Sequence, residues 1–127
     1  MTRGAPILLI EDDAAQREPL TLLFELKGYK TTAAASVPEA WEVLNAGLRP
    51  RVIVLDLMMP GLDGIAFRRA QLLDPVVSKI PVVLYSGGAD LDLIARNLEV
   101  VGHVAKPGNF DLLLRLVAAH CGGQPSV

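Results

Sequence analysis

Short apolar runs alternate with segments of helical periodicity along the chain, and this alternation constrains the fold most. The strand candidates lie at residues 6–10, 29–34, 51–56, 81–86 and 102–106. The second, which begins Tyr29-Lys30-Thr31-Thr32, is more polar than the others, as expected of an edge strand. After each run, apolar residues recur at spacings of three and four, as in Val37, Ala40, Trp41 and Leu44. Strands that alternate with helices predict a parallel sheet with helices on both faces and right-handed crossovers. The sequence therefore predicts a doubly wound α/β fold of five βα units.

The composition is that of one globular domain. The chain has 127 residues, of which 51% are hydrophobic and 20% charged. We expect the domain to span residues 5–121 and residues 122–127 to form a tail or the start of a linker. The apolar stretch before residue 11 is too short for a signal peptide or a membrane span. A lone cysteine, Cys121, fits a reducing cytoplasm, and its thiol is expected to be half-buried and inert.

The charge pattern disfavours binding to nucleic acid or to an anionic membrane, because either partner requires a basic patch. The formal net charge is −2, and Arg68-Arg69 is the longest basic run. We expect these two arginines to lie on a solvated helix face, and Trp41 to face the core.

Residues with strong local preferences predict where helices begin and end. Gly28 can terminate the first helix, Asp63 can cap the third helix at about 64–73, and Asn109 can cap the fifth. Pro19 conflicts with the first helical pattern, because proline in a helix interior removes a backbone hydrogen bond, unless that helix starts near Gln16.

Polar side chains follow the predicted strands at the points where the strands end. They are Glu11, Asp12 and Asp13 after the first strand, Asp56 after the third, Ser86 after the fourth and Lys106 after the fifth. Ligands of open α/β sheets bind beyond the carboxyl ends of the strands. We therefore expect this group to converge at one edge of the sheet, although the three consecutive acids could also simply cap the first helix.

A converged group of this kind predicts magnesium-dependent phosphoryl chemistry. The carboxylates of Asp12, Asp13 and Asp56 and the ammonium of Lys106 sum to −2, and like charges at close range oppose full ionisation. A divalent cation offsets that charge, and oxygen ligands favour Mg²⁺. An aspartate beside Mg²⁺ and lysine can attack phosphorus and form an acyl phosphate, with the Ser86 hydroxyl bonding a phosphoryl oxygen.

At this point the chain resembles the receiver domains of two-component response regulators, which have the flavodoxin-like (βα)5 fold. The resemblance covers residues 5 to 120. It is carried by Leu9-Ile10-Glu11-Asp12-Asp13, by Asp56-Leu57-Met58-Met59-Pro60-Gly61-Leu62-Asp63-Gly64, by Leu84-Tyr85-Ser86-Gly87-Gly88 and by Lys106-Pro107. It implies the sheet order 2-1-3-4-5 and a cis Lys106-Pro107 bond.

The resemblance also implies roles for individual residues. Asp56 would be the phosphoacceptor, and Ser86 and Lys106 would contact the phosphoryl group. Three protein groups would coordinate Mg²⁺ directly, namely Asp13, Asp56 and the backbone carbonyl of Met58. Asp12 would act partly through water.

A phosphorylation-dependent switch is the function that the resemblance implies. A sensor histidine kinase or a histidine phosphotransfer protein would donate the phosphoryl group, and a downstream protein would bind the face made by the fourth helix, fifth strand and fifth helix. That face could also form a homodimer. The domain would catalyse its own phosphorylation and dephosphorylation without being a turnover enzyme.

Three other functions are compatible with parts of the sequence but disfavoured by others. The first is a phosphate-independent interaction module. Members of that class typically lack one of the acids or the lysine, whereas this chain has all of them. A phosphohydrolase of the haloacid-dehalogenase type needs a second aspartate where this chain has Met58. A flavodoxin-like electron carrier needs a hydroxyl-rich phosphate loop where this chain has three acids.

His103 departs from the family pattern, because receivers usually carry Tyr or Phe at this position. A histidine there could still act as the switch residue, with pH sensitivity. It could equally be an exposed residue near the end of its strand.

Overall fold

The computed structural model describes residues 5–57, 64–88 and 90–121. The strands are β1 Ala5–Ile10, β2 Tyr29–Ala34, β3 Val52–Leu55, β4 Val82–Ser86 and β5 Gly102–Ala105. The helices are α1 Ala14–Leu26, α2 Val37–Asn45, α3 Gly64–Leu73, α4 Leu91–Asn97 and α5 Phe110–His120. All strand pairs are parallel, in the order β2-β1-β3-β4-β5. The predicted doubly wound fold is confirmed.

The sheet separates two apolar clusters, and alternate residues of each central strand enter opposite clusters. Leu8 and Ile10 of β1 pack with α2, α3 and α4, whereas Ile7 and Leu9 pack with α1 and α5. Both faces of the central strands are therefore buried, which explains why their sequences are apolar without alternation. Trp41 joins the first cluster as predicted, with its ring centroid 5.2 Å from that of Phe67.

The ends of α1 agree with the sequence, but its interior contains the conflicting proline. The Asp13 side chain caps the helix by accepting a hydrogen bond from the Ala15 backbone N–H at 2.9 Å. Gly28 follows the last turn with φ +95°, a left-handed conformation that favours glycine. The helix begins at Ala14 and not near Gln16, so Pro19 lies inside it and leaves one helical carbonyl without its usual donor.

The predicted cap of α5 is wrong, although Asn109 does occupy the N-cap position. Its φ of 58° is left-handed, and its side chain makes no capping bond within the part of the chain that the structure describes. Its Nδ2 donates instead to the carbonyl of Ala105 at 2.9 Å. Asn109 therefore stabilises the turn between β5 and α5 and not the helix terminus.

Arg68 is buried, contrary to the predicted solvated face. Its side chain is 4% exposed and donates to the carbonyl of Leu98 at 2.9 Å, to the carbonyl of Glu99 at 2.9 Å and to Gln71 Oε1 at 2.8 Å. Burial lowers its pKa, and the charge of Glu99 opposes that effect. Arg69 is exposed as predicted. Arg68 thus connects α3 to the residues that follow α4.

Cys121, directly after α5, is fully buried and not half-buried as predicted. Burial raises the pKa of its thiol. None of the helices in the described ranges combines the length and the apolar character that crossing a membrane requires.

Candidate functional site

The strand register brings the carboxyl ends of four strands to one edge of the sheet. Ile10 of β1 pairs with Leu55 of β3, so Glu11 and Asp56 follow neighbouring strand ends. Ser86 at the end of β4 pairs with Ala105 of β5, directly before Lys106. The strand order changes direction between β1 and β3, which is where ligands of doubly wound sheets bind.

Asp56 is buried and both of its carboxylate oxygens have partners. It is 6% exposed. The Ser86 hydroxyl donates to Asp56 Oδ1 at 2.9 Å, and the Leu57 backbone N–H donates to Ser86 Oγ at 3.3 Å. Lys106 Nζ donates to Asp56 Oδ2 at 3.3 Å. The hydroxyl and the ammonium therefore approach Asp56 through different oxygens.

Glu11 shares Lys106 with Asp56. It is 1% exposed, and its Oε1 forms an ion pair with Lys106 Nζ. Burial raises the pKa of Glu11, the hydrogen bond from Lys106 opposes this, and the charge of Asp56 adds to it. Burial disfavours the charged form of Lys106, but its bonds to both carboxylates outweigh burial and raise its pKa.

Glu11, Asp12 and Asp56 could hold a metal ion. Each offers a carboxylate oxygen, and these atoms lie within 4.8 Å of one another. A set made only of oxygen donors fits a hard divalent cation such as Mg²⁺. The donor chemistry predicted from the sequence therefore agrees with the structure.

The membership of the cluster differs from the sequence prediction. Of the described residues, Glu11 belongs to the group and Asp13 does not. Asp13 is exposed, caps α1 and accepts from Gln16 Nε2 at 3.1 Å, so its carboxylate is already used at the helix terminus. Its position directly before the first helical residue is where aspartate caps best, in agreement with the alternative prediction that the three acids cap the first helix. Met58 and Asp63 lie outside the described residues.

An open cleft surrounds these carboxylates and gives solvent access to the site. Its lining residues are Glu11, Asp12, Asp13, Gln16, Asp56, Gly87, Gly88 and Lys106. Asp13 thus borders the cleft although its carboxylate points to α1. The Lys106-Pro107 bond is cis, as predicted.

Gly64 allows α3 to begin against the backbone of the site. A Cβ atom at this position would lie 2.6 Å from the Asp56 carbonyl oxygen and 2.9 Å from the Leu57 Cα atom. Both contacts are far shorter than a carbon atom tolerates, and both involve backbone that cannot rotate away. The close approach therefore requires glycine.

His103 lies at the surface of β5 and contacts α4. Its Nε2 pairs with Asp92 Oδ1, and its side chain is 37% exposed. Arg96, Leu112 and Leu116 line the same shallow groove. The contact joins the helix and the strand that form the predicted output face, and the switch role of His103 stays a prediction.

Fold and site together define a doubly wound α/β protein whose acidic cluster lies at the strand-order switch. The chain belongs to the response regulator receiver domain family, whose model matches residues 7–118. It is 38% identical over 125 residues to Protein Rrf1 of Nitratidesulfovibrio vulgaris, covering 95% of this chain and 88% of that one. It is 32% identical to the sporulation initiation phosphotransferase F of Bacillus subtilis, covering 83% and 84%.

A solved structure has the same fold. The receiver domain of a sensor histidine kinase from Pseudomonas aeruginosa, which has a magnesium ion coordinated in its active-site cleft, superposes with a TM-score of 0.83 at 22% identity. The superposition covers 94% of this chain and 99% of that one. Other matching regulators are longer, and the chain spans 25% of a C4-dicarboxylate transport regulator from Rhizobium meliloti and 46% of a phosphate regulon regulator from Pseudomonas aeruginosa.

Proposed function

We propose that this receiver domain accepts a phosphoryl group on Asp56 from a phosphohistidine of a sensor histidine kinase or a histidine phosphotransfer protein. One observation carries the proposal: a buried carboxylate at a strand end has the Ser86 hydroxyl on one oxygen and the Lys106 ammonium on the other. Phosphoryl transfer depends mainly on positioning and on charge stabilisation, and these two groups provide both.

In the proposed reaction, a carboxylate oxygen of Asp56 attacks phosphorus in line with the phosphorus–nitrogen bond of the donor histidine. That bond breaks, its electron pair remains on the imidazole nitrogen, and an acyl phosphate forms on Asp56. Lys106 pairs with the phosphoryl oxygens, and Ser86 donates a hydrogen bond to one of them. Water later cleaves the acyl phosphate, releasing inorganic phosphate and restoring the carboxylate, so the domain is no turnover enzyme for a metabolite.

Glu11, Asp12 and Asp56 are the residues that would hold the Mg²⁺ ion. Bound there, the ion supplies neutralisation of the charge on the phosphoryl oxygens. We propose that Asp12 provides the direct ligand from the acidic pair and that Glu11 supports it, since Asp13 is engaged at the helix terminus.

The proposed output is a change on the face formed by α4, β5 and α5. Ser86 immediately precedes Gly87 and Gly88, which provide backbone freedom ahead of α4. Leu93, Val101 and Leu112 expose apolar side chains on these elements or directly beside them, which favours a protein partner or a second copy of the chain. Phosphorylation would shift an existing equilibrium between two arrangements of this face, in a cytoplasmic signalling protein.

Incubation with acetyl phosphate and Mg²⁺, followed by intact mass spectrometry, tests the proposal. We expect one added phosphoryl group, and we expect none in Asp56→Asn or in the absence of metal. Ser86→Ala is a graded control, because it keeps the nucleophile and removes one hydrogen-bond donor. If wild-type protein gained no phosphoryl group and bound no beryllofluoride in Mg²⁺, the domain would be a phosphate-independent interaction module.

A further inference from the structure

Tyr85 is buried next to the site but faces away from Asp56. It precedes Ser86 on β4, so the two side chains point to opposite sides of the sheet. Tyr85 is 4% exposed and belongs to the cluster that packs with α1 and α5. The end of β4 therefore carries the Ser86 hydroxyl, which contacts Asp56, on one side of the sheet and the Tyr85 ring on the other side.

The ring of Tyr85 lies beside the lysine of the site. Lys106 Nζ is 5.5 Å from the ring centroid, within the range of a cation–π interaction. The lysine side chain is only 13% exposed, so this attraction is weakly screened by solvent. Glu11 and Asp56 hold the ammonium from the site itself. Phosphorylation would change the charge of Asp56, whereas the ring is a partner that stays the same in both states.

The hydroxyl of Tyr85 holds the loop that follows Lys106. It donates to the carbonyl of Gly108 at 2.7 Å. Gly108 adopts its φ of 82° freely, whereas Asn109 has a left-handed φ of 58° that contacts around the turn have to maintain. Phe110, at the start of α5, lies with its ring centroid 6.1 Å from that of Tyr85. A single side chain thus contacts both the ammonium of Lys106 and the backbone two residues later.

We propose that Tyr85 is a positioning residue for phosphoryl acceptance: its ring fixes the Lys106 ammonium and its hydroxyl fixes the turn from which Lys106 projects. The inference rests on the proposed function of Asp56. Lysine has a flexible four-carbon stem and three equivalent donors, so its position depends on what surrounds it. One contact of Tyr85 acts on the ammonium at the end of that stem, and the other acts on the turn two residues after Lys106.

Two substitutions separate the two contacts. Tyr85→Phe keeps the ring and removes the bond to Gly108, whereas Tyr85→Leu removes both. We expect Tyr85→Leu to slow phosphorylation of Asp56 by acetyl phosphate about twofold to thirtyfold. We expect Tyr85→Phe to slow phosphorylation less than Tyr85→Leu does, because the ring remains beside Lys106, and to speed amide exchange at Gly108 and Asn109. Tyr29→Leu is the matched control, because Tyr29 is equally buried in the same cluster at the opposite end of the sheet.

An NMR readout makes the test independent of phosphorylation. The Lys106 ε-methylene signals should be shifted upfield by the Tyr85 ring, and the shift should persist in Tyr85→Phe and disappear in Tyr85→Leu. If Tyr85→Leu did not fold, pentafluorophenylalanine at position 85 would keep the shape of the ring and remove its attraction for a cation.

The outcomes separate this inference from the proposed function. Unchanged Lys106 signals in Tyr85→Leu, or an equal loss of rate in Tyr29→Leu, would overturn the role of Tyr85. Lys106 signals that respond as expected, in a wild-type protein that accepts no phosphoryl group, would overturn the proposed function and leave the contact itself established.

Discussion

At the scale of single residues, the Lys106 ammonium determines how the acidic site is stabilised without a metal. Glu11 and Asp56 are both nearly buried, and two carboxylates so close together repel each other. Lys106 donates to both and compensates part of that cost. The raised pKa of Glu11 shows that the compensation is incomplete, because burial and the charge of Asp56 outweigh the lysine. The site is therefore suited to binding an additional cation.

Substitution of the three consecutive acids should separate metal binding from helix capping. We expect Asp12→Asn and Glu11→Gln each to weaken Mg²⁺ binding about tenfold to a hundredfold, measured by calorimetric titration. Asp13→Ala should change Mg²⁺ affinity little, but should lower the free energy of unfolding in urea by about 1 kcal/mol through loss of the α1 cap. If Asp13→Ala abolished Mg²⁺ binding and Glu11→Gln did not, Asp13 would be the metal ligand, as the sequence predicts.

Several residues show why the sequence predicted the kind of site better than its members. The strand-end pattern located Asp56, Ser86 and Lys106, because a parallel sheet brings all carboxyl ends to one edge. The three adjacent acids are alike in charge, and what separates their roles is the direction in which each side chain points. That direction depends on where β1 ends and α1 begins. The sequence could not resolve a shift of one residue there, so it grouped Asp13, and not Glu11, with Asp12 and Asp56.

At the scale of elements, α4 is held differently at its two ends. At its N-terminus Asp90 has a left-handed φ of 62°, and its side chain forms no capping hydrogen bond with any described residue. Beyond its C-terminus the Arg68 guanidinium binds the carbonyls of Leu98 and Glu99, where the helix dipole favours a positive charge. Movement of α4 should therefore be greatest at the end near Ser86.

Removing the Arg68 anchor should destabilise the domain. Arg68→Met leaves buried carbonyls without a donor, and we expect it to lower the free energy of unfolding by about 2–4 kcal/mol in urea denaturation. Arg69→Met, on the same helix but exposed, should change it by less than about 0.5 kcal/mol. Equal effects of the two substitutions would show that the buried network contributes nothing beyond helix propensity.

The elements themselves could be predicted closely, whereas this anchor could not. The strand candidates agree to within one residue with the observed bounds of every described strand, since burial and polarity change abruptly at strand ends. Arg68 and Arg69 are identical in sequence, and only their angular position on α3 decides that one enters the interior. Asn109 occupies the N-cap position, but its side chain donates to the carbonyl of Ala105 in the preceding strand. The helix-capping preference of asparagine does not predict this bond.

At the scale of the whole molecule, several groups bind protons more tightly in the folded state. Burial raises the pKa of Tyr29, Tyr85 and Cys121, and the carboxylates around Lys106 raise its pKa. Their ordinary values are 10.0 for tyrosine, 9.0 for cysteine and 10.5 for lysine. A raised pKa in the folded state gives stability that is complete below the ordinary value and is lost as the pH rises through the folded value.

We therefore expect the free energy of unfolding to fall steadily above about pH 9, in urea denaturation series between pH 7 and pH 11. Tyr29→Phe removes one titrating group far from the site and should make the fall near pH 10 shallower. A stability that stayed level to pH 11, or an unchanged slope in Tyr29→Phe, would contradict the expectation that these buried groups control alkaline unfolding.

The contact between Gly64 and the Asp56 backbone has a consequence for how this domain can vary. In a library of all single substitutions scored for folding, position 64 should retain only glycine, although it contributes no side chain to the chemistry, because the atoms in the way are main chain. Position 102 offers a contrast. A Cβ atom there would meet the side chain of Leu116 at 2.9 Å, which can rotate aside, so alanine should survive selection. Tolerance to mutation should therefore be lowest where two backbones touch.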